Sequence, residues 1–92
     1  DLGSQTNFEL SQNYPNPFNP VTTIKFSLPE SGNANLTIFN LLGEKVAEPI
    51  NEIKNAGVHT INFNASELNS GVYIYKIESN GFVQSRKMTL IK

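Results

Sequence analysis

The amino-acid sequence predicts an all-β fold, an immunoglobulin-like antiparallel β-sandwich of about seven strands. Short runs of β-branched and aromatic residues alternate with polar residues, and turn-forming residues separate these runs. The 92 residues include 13 Asn, 6 Gly and 5 Pro, which favours turns over helices. The best helical candidate, residues 65–69, is barely one turn long. The length fits a single domain.

The first three strand signals lie in the N-terminal half of the chain. Phe8 and Leu10 begin the alternation, with Tyr14 as a further candidate. Residues 22–28 alternate apolar and polar side chains, which indicates a strand with one face in the core and one in water. After a turn that begins with a proline, residues 34–39 repeat the pattern and predict a third strand.

The fourth strand is centred on Val46 and Ile50, with a proline between them. Because Pro49 cannot donate a hydrogen bond to a β-ladder, we expect this strand at a sheet edge or at a bulge. Three glutamates are spaced by four residues here, and the proline excludes a helix that would stack them. These glutamates are Glu44, Glu48 and Glu52. We interpret them as solvated edge-strand charges that discourage aggregation, and not as the paired carboxylates of a glycosidase.

Three further strands complete the pattern. His59 shares one face of the fifth strand with Ile61 and Phe63. The sixth strand covers residues 72–78 and the seventh covers residues 82–91. An Asn-Gly dipeptide between them is the strongest two-residue hairpin signal in the chain.

Composition excludes several classes of function. With 7 Lys and Arg against 8 Asp and Glu, the chain lacks the basic excess that nucleic-acid binding requires. It has no Cys, and therefore no disulfide, thiol nucleophile or Cys-ligated zinc. No apolar run approaches the roughly 18 residues that span a bilayer.

Catalytic residues are equally scarce. A serine hydrolase triad would have to use His59 and Asp1, the one histidine and the one aspartate of the chain. A single histidine on an apolar strand face indicates an inward or rim residue and not a metal ligand. We therefore expect a monomeric domain that is not an enzyme and has no cofactor or metal.

Residues 13–20 contain three prolines, which fix three φ angles and remove three backbone donors. They predict a rigid, extended corner. We expect Tyr14 and Phe18 to pin this corner against the sandwich, and the Tyr14-Pro15 peptide bond is a candidate for the cis form. A structural corner explains the whole pattern, and a recognition loop is the alternative.

The last strand is a second candidate for recognition. Arg86, Lys87 and Lys92, three of the seven cations, lie near Met88 and Leu90. An ordinary hairpin strand with a basic face accounts for this arrangement. The alternative is a terminal strand displayed for a partner, which would read its backbone edge, basic side chains and free carboxylate.

Four blocks of the sequence carry a family resemblance: residues 8–20, 22–29, 36–46, and 70–77 with 86–88. In this order they resemble the C-terminal sorting domain, type A, of proteins that the type IX (Por) secretion system of Bacteroidetes and related phyla exports. The likeness covers the chain from Phe8 to Lys92. It divides the sequence into a linker from an upstream cargo domain, residues 1–7, and a sorting domain, residues 8–92.

The resemblance implies a non-catalytic address label. In that family the cargo reaches the periplasm, and the outer-membrane translocon then recognises the folded domain. A sortase-like cysteine peptidase cleaves upstream of the domain, here in or before residues 1–7, and the cargo is anchored at the cell surface or released into the medium.

The resemblance also assigns roles to residues of this sequence. The recognition candidates are Gly71, Tyr73, Arg86, Lys87, Met88, Leu90 and Lys92. The residues expected to hold the recognised shape are Tyr14, Pro15, Asn16, Pro17, Phe18 and Gly43. Family members often have aspartate where Asn40 stands, so no calcium or charge role is assigned there.

Two other functions remain open, a carbohydrate-binding module and a fibronectin-like spacer of a secreted enzyme. A carbohydrate-binding module needs a row of exposed aromatic rings. This chain has no Trp, and Tyr73 and Tyr75 share the parity of Ile77, which predicts that they face the core. A spacer tolerates residues after Lys92, whereas a terminal sorting signal does not.

Overall fold

The computed structural model describes residues 7–92, and all regular structure in this part of the chain is β. The seven-stranded all-β prediction is confirmed. The predicted linker and cleavage bond lie outside the described residues, apart from Asn7. The strands are β1 (Glu9–Leu10), β2 (Val21–Leu28), β3 (Gly32–Phe39), β4 (Lys45–Lys54), β5 (Gly57–Asn64), β6 (Gly71–Ser79) and β7 (Phe82–Leu90).

The strands form two antiparallel sheets that pack face to face. One sheet has the order β1-β2-β5 and the other the order β4-β3-β6-β7. In constant-type immunoglobulin domains the fourth strand joins the sheet of the first. Here β4 pairs with β3 instead, which leaves β5 at the edge of the three-stranded sheet.

The core lies between the two sheets and is built from the inward parity of each strand. Burial of one large apolar side chain contributes about 1.5–3 kcal/mol to the stability of the fold. The predicted alternation is confirmed in β2, β3 and β6, whereas β5 buries Phe63 and leaves His59 and Ile61 half-buried. The fully buried large apolar side chains are Leu10, Ile24, Phe26, Leu28, Leu36, Ile38, Tyr75, Ile77, Met88 and Leu90.

Strand β4 is the protected edge of the four-stranded sheet. Pro49 lies in this edge strand, and the β3–β4 register shifts between Leu36 and Ile38. The expected edge position and bulge are both confirmed. Glu48 and Glu52 are exposed and form ion pairs with lysines of the same strand, which keeps this edge polar.

The β6–β7 hairpin turn has the geometry that its sequence predicts. Asn80 and Gly81 have φ angles of 50° and 84°, the left-handed conformation that a two-residue type I′ turn requires. The Asn80 amide also donates to the Ser31 carbonyl over 3.1 Å. A Cβ on Gly32 would lie 2.5 Å from the Asn80 side-chain oxygen, so this contact needs glycine there.

A buried tyrosine connects β6 to the chain that follows β1. The Tyr75 hydroxyl donates to the Ser11 carbonyl over 2.7 Å and accepts from the Asn13 backbone N–H over 2.8 Å. Burial raises the pKa of this hydroxyl, and the Asn13 hydrogen bond and the charge of Arg86 partly offset the effect. Tyr75 therefore fills the core with its ring and holds the N-terminal segment with its hydroxyl.

We expect Tyr75→Phe to lower the free energy of unfolding by about 2 kcal/mol, because it leaves the Asn13 N–H and the Ser11 carbonyl unpaired. Urea denaturation of the purified domain measures this loss. Tyr14→Phe is the matched control, since the Tyr14 ring is exposed. An equal loss in both variants would contradict the assigned role of the buried hydroxyl.

The raised pKa of Tyr75 also predicts a dependence of stability on alkaline pH. The hydroxyl ionises more easily in the unfolded chain, so its contribution is complete below the ordinary tyrosine pKa of about 10 and is lost as pH rises through the folded value. Urea denaturation at pH 8 to 11 should show a shallower decline for Tyr75→Phe than for the wild type. Tyr14→Phe should keep the wild-type decline.

Candidate recognition surface

The proline-rich corner is held by one of its two aromatic side chains. Phe18 is 2% exposed and belongs to the core, as predicted, but the Tyr14 ring is 80% exposed. The expectation that Tyr14 packs against the sandwich is wrong, because its attachment is through the backbone. Its N–H and carbonyl pair with Thr23 at 3.0 and 2.8 Å. The peptide bonds before Pro15, Pro17 and Pro20 are all cis.

The corner pairs directly with the outer edge of β7. The Phe18 N–H donates to the Thr89 carbonyl over 3.0 Å, and the Phe18 carbonyl accepts from the Ile91 N–H over 2.9 Å. The Asn16 side-chain oxygen accepts from the Thr89 N–H over 2.9 Å. The corner and the final strand, which the sequence presents as two separate candidates, therefore form one composite unit.

Side chains of β7 extend this contact along β1. The Gln84 amide accepts from the Leu10 N–H over 2.9 Å and donates to the Phe8 carbonyl over 3.0 Å, so it bonds the backbone as a neighbouring strand would. The Arg86 guanidinium also donates to the Leu10 carbonyl. From the other side, the Gln12 amide donates to the Lys87 carbonyl over 2.8 Å. A partner strand could pair with this edge only by displacing the N-terminal segment.

Four of the recognition candidates support the fold. Met88 and Leu90 are fully buried. Tyr73 is buried, and its hydroxyl donates to the Asn69 carbonyl over 2.6 Å, the tyrosine-corner arrangement of immunoglobulin-like sandwiches. Gly71 lies opposite Leu90 and has a φ of 154°. A residue with a side chain would be strained in this conformation. In the folded domain these residues determine the shape of the surface.

The three cations of the last block have different environments. Arg86 has the inward parity of β7 and reaches the backbone of β1. The Lys92 ammonium donates to the Ser66 carbonyl over 2.8 Å, and its backbone N–H donates to the Ser70 hydroxyl over 3.0 Å. Lys87 projects outward from the four-stranded sheet beside Ile74 and is exposed. All three residues are exposed, and of these three side chains Lys87 is the one for which the structure shows no hydrogen bond or ion pair within residues 7–92.

Gly43 belongs to a turn that is organised by Asn40. Gly43 has a φ of 85°, and the Asn40 oxygen accepts from the Leu42 and Glu44 N–H groups at 2.9 and 3.0 Å. The Asn40 amide also donates to the Glu44 carboxylate over 2.7 Å. A carboxylate at position 40 could accept these bonds but could not donate to Glu44. The turn leaves Leu41 and Leu42 exposed by 64% and 84%.

The predicted residues meet at one end of the sandwich. Gly71 lies opposite Leu90, and Phe39 lies opposite Ile74, so the turn after β3 reaches the same end as the start of β6 and the finish of β7. The corner joins this end through Phe18 and Leu90. The stacked rings of Phe8 and Phe82, 5.1 Å apart, mark the opposite end.

Sequence reasoning missed the role of Gln84. Its parity along β7 is that of Met88 and Leu90, and an amide at an inward position was the available signal. It also missed Gln12 and Asn13, whose bonding partners are distant in sequence. Parity alone cannot show which backbone groups an inward polar side chain will reach.

His59 occupies the rim position expected of it. Its ring stacks on Phe26 at 5.4 Å, and its Nε2 lies 2.7 Å from the Asn55 carbonyl oxygen. Residues 7–92 contain no cluster of three His, Cys, Asp or Glu side chains placed to bind a metal, and they enclose no pocket. A search of the same residues for a helix long and apolar enough to cross a bilayer found none.

A model of a known protein family matches most of this chain. The family model described as the secretion system C-terminal sorting domain matches residues 12–92. A search of curated proteins found no match. Because the family match covers nearly the whole chain, including the corner, the Asn40 turn and the final strand, this chain belongs to the family of type IX secretion system C-terminal sorting domains.

Proposed function

We propose that this chain is a non-catalytic label that directs an attached cargo protein across the outer membrane, and that a sortase-like cysteine peptidase then removes it. Family membership supports the first part, since a sorting signal of this system marks a protein for the cell surface or the extracellular space. The proposed partners are the outer-membrane translocon, the peptidase and an upstream cargo domain. The proposed route passes through the periplasm.

The observation that carries this proposal is the composite end of the sandwich. The corner bonds to Thr89 through Asn16 and Phe18, and the Asn40 turn lies at the same end. These segments are far apart in the sequence and come to the same end of the sandwich only after folding. A receptor that binds this end therefore reads the folded shape, which distinguishes a completed domain from an unfolded chain.

The rival carbohydrate-binding function has less support. Tyr73 and Tyr75 are buried, as their parity predicts. Among residues 7–92, Tyr14 and Phe82 are the exposed aromatic side chains, and they lie at opposite ends of the sandwich. Flat sugar rings require neighbouring aromatic faces. A sorting signal needs no such aromatic row and can use the composite end of the sandwich.

We expect a fluorescent reporter with a signal peptide, fused in front of residues 1–92, to reach the cell surface or medium of a bacterium with a working type IX system. In a translocon-deficient mutant the same fusion should remain in the periplasm. Fractionation and fluorescence measure the distribution. Equal export from both strains, or periplasmic retention of the folded fusion in both, would refute the proposal.

Deletion of residues 87–92 tests whether the last strand is needed for the folded shape of the domain. The deletion removes the buried side chains of Met88 and Leu90 and the backbone partners of Phe18. We expect the purified truncated domain to lose its cooperative thermal transition, because each buried side chain lost costs about 2–5 kcal/mol in a domain with a total stability of about 5–15 kcal/mol. Lys92→Ala is the control and should keep the transition. A cooperative transition in the truncated domain would contradict the core role of the last strand.

A further inference from the structure

The outer face of the four-stranded sheet carries an apolar centre between two lysines. At one level of the sheet Phe39, Ile74 and Lys87 are consecutive cross-strand partners on β3, β6 and β7, and Lys45 of β4 lies opposite Phe39 across a shift in the β3–β4 register. Residues directly opposite each other project to the same face. Phe39 and Ile74 are half-buried and the two lysines are exposed. A single row therefore presents apolar surface bordered by positive charge.

A third lysine adds to this charge. The Lys76 ammonium lies 5.2 Å from the centroid of the Phe39 ring, in a cation–π contact. Lys45 has an acidic partner, Glu48, at 3.4 Å, but an exposed pair of this kind binds weakly and leaves the lysine able to exchange partners. Three of the seven cations of the chain thus surround one pair of apolar side chains.

The turn beyond Phe39 extends the apolar surface. Leu41 and Leu42 are exposed, and the hydrogen bonds of Asn40 hold their backbone in one conformation. Exposed leucines on an ordered turn lose little conformational freedom when a partner covers them. As neighbours of Phe39 in the sequence, they add exposed apolar surface that a partner can cover.

The other sheet lacks this combination of charge and apolar surface. The outward residues at the centre of β2 and β5 are Thr23, Lys25, Thr60 and Asn62, which are polar. The exposed apolar residues of this face, Val21 and Val58, lie at its two opposite ends and form no apolar centre. Lys25 is its one cation. This difference between the two outer faces favours the four-stranded sheet as the docking surface.

We propose that the docking face, defined as Phe39, Leu41, Leu42, Ile74, Lys76 and Lys87, binds a protein surface that has an apolar centre bordered by carboxylates. The inference rests on the proposed function, in which this partner is a component of the export machinery. The charge favours a protein over a lipid surface, because binding to anionic lipid is typical of clusters of about four to eight cations. Here two lysines of the docking face, with Lys45 beside it, are spaced around apolar side chains.

The test uses the reporter fused to residues 1–92 in the export-competent strain. Lys87→Glu reverses a charge of the docking face, Leu42→Asn removes an exposed apolar side chain, and Lys87→Arg keeps the charge. Lys25→Glu and Val58→Asn make the matched changes on the outer face of the other sheet. Thermal unfolding of each purified domain checks that the variant folds as the wild type does.

We expect Lys87→Glu and Leu42→Asn each to reduce export about tenfold, the effect of a loss of about 1.4 kcal/mol in binding. Lys87→Arg and both control variants should be exported at the wild-type level. Wild-type export of the two docking-face variants would overturn the docking face and leave the proposed function intact. An equal reduction in the two control variants would also overturn it, whereas failure of the unmodified fusion would refute the proposed function itself.

A second measurement separates the two classes of partner. The purified domain is mixed with phosphatidylglycerol vesicles and sedimented at physiological salt. We expect the domain to remain in the supernatant. Sedimentation with the vesicles that Lys87→Glu abolishes would overturn the protein partner in favour of an anionic lipid surface.

Discussion

The hydrogen bonds that hold the N-terminal segment against β6 and β7 are the constraint on which the rest of the fold depends. Strand β1 has two residues and pairs with β2 alone, so its own ladder contributes little. Tyr75 and Gln84 of the other sheet, together with the backbone pairing of Phe18 with the end of the chain, supply the missing attachment. These bonds close the sandwich along one side, and they pair backbone groups that burial would otherwise leave unsatisfied at a cost of about 1–3 kcal/mol each.

This closure explains why the family signal is spread over the whole chain. The final strand needs the corner, because Phe18 and Asn16 pair with its outer edge. The corner needs the final strand, because Phe18 packs beside Leu90 in the same core. Since each part is ordered by the other, this end of the sandwich forms only in the complete domain, and loss of the last strand removes its shape together with its side chains.

The backbone edges of the four-stranded sheet are protected, whereas its outer face is not. The β4 edge carries a proline and internally paired charges, which discourage strand addition, and the β7 edge is occupied by the N-terminal segment. The backbone edges of the four-stranded sheet are thus protected. Its outer face remains for side-chain contacts, with Phe39 and Ile74 between lysines. This division protects the backbone edges against strand addition and leaves the outer face uncovered.

The sequence by itself determined most of the strands, much of the core and the family. Alternation identified Ile24, Phe26 and Leu28 as inward, Pro49 indicated an edge, and the Asn-Gly dipeptide indicated the last hairpin, because each of these signals is local. Only the tertiary structure decided that β4 pairs with β3, that the Tyr14 ring faces water, and that Met88 and Leu90 are buried while Lys87 projects outward. It also placed the Gln84 amide on the backbone of β1. These outcomes depend on which distant segments meet, and neither the periodicity of one strand nor the chemistry of one side chain contains that information.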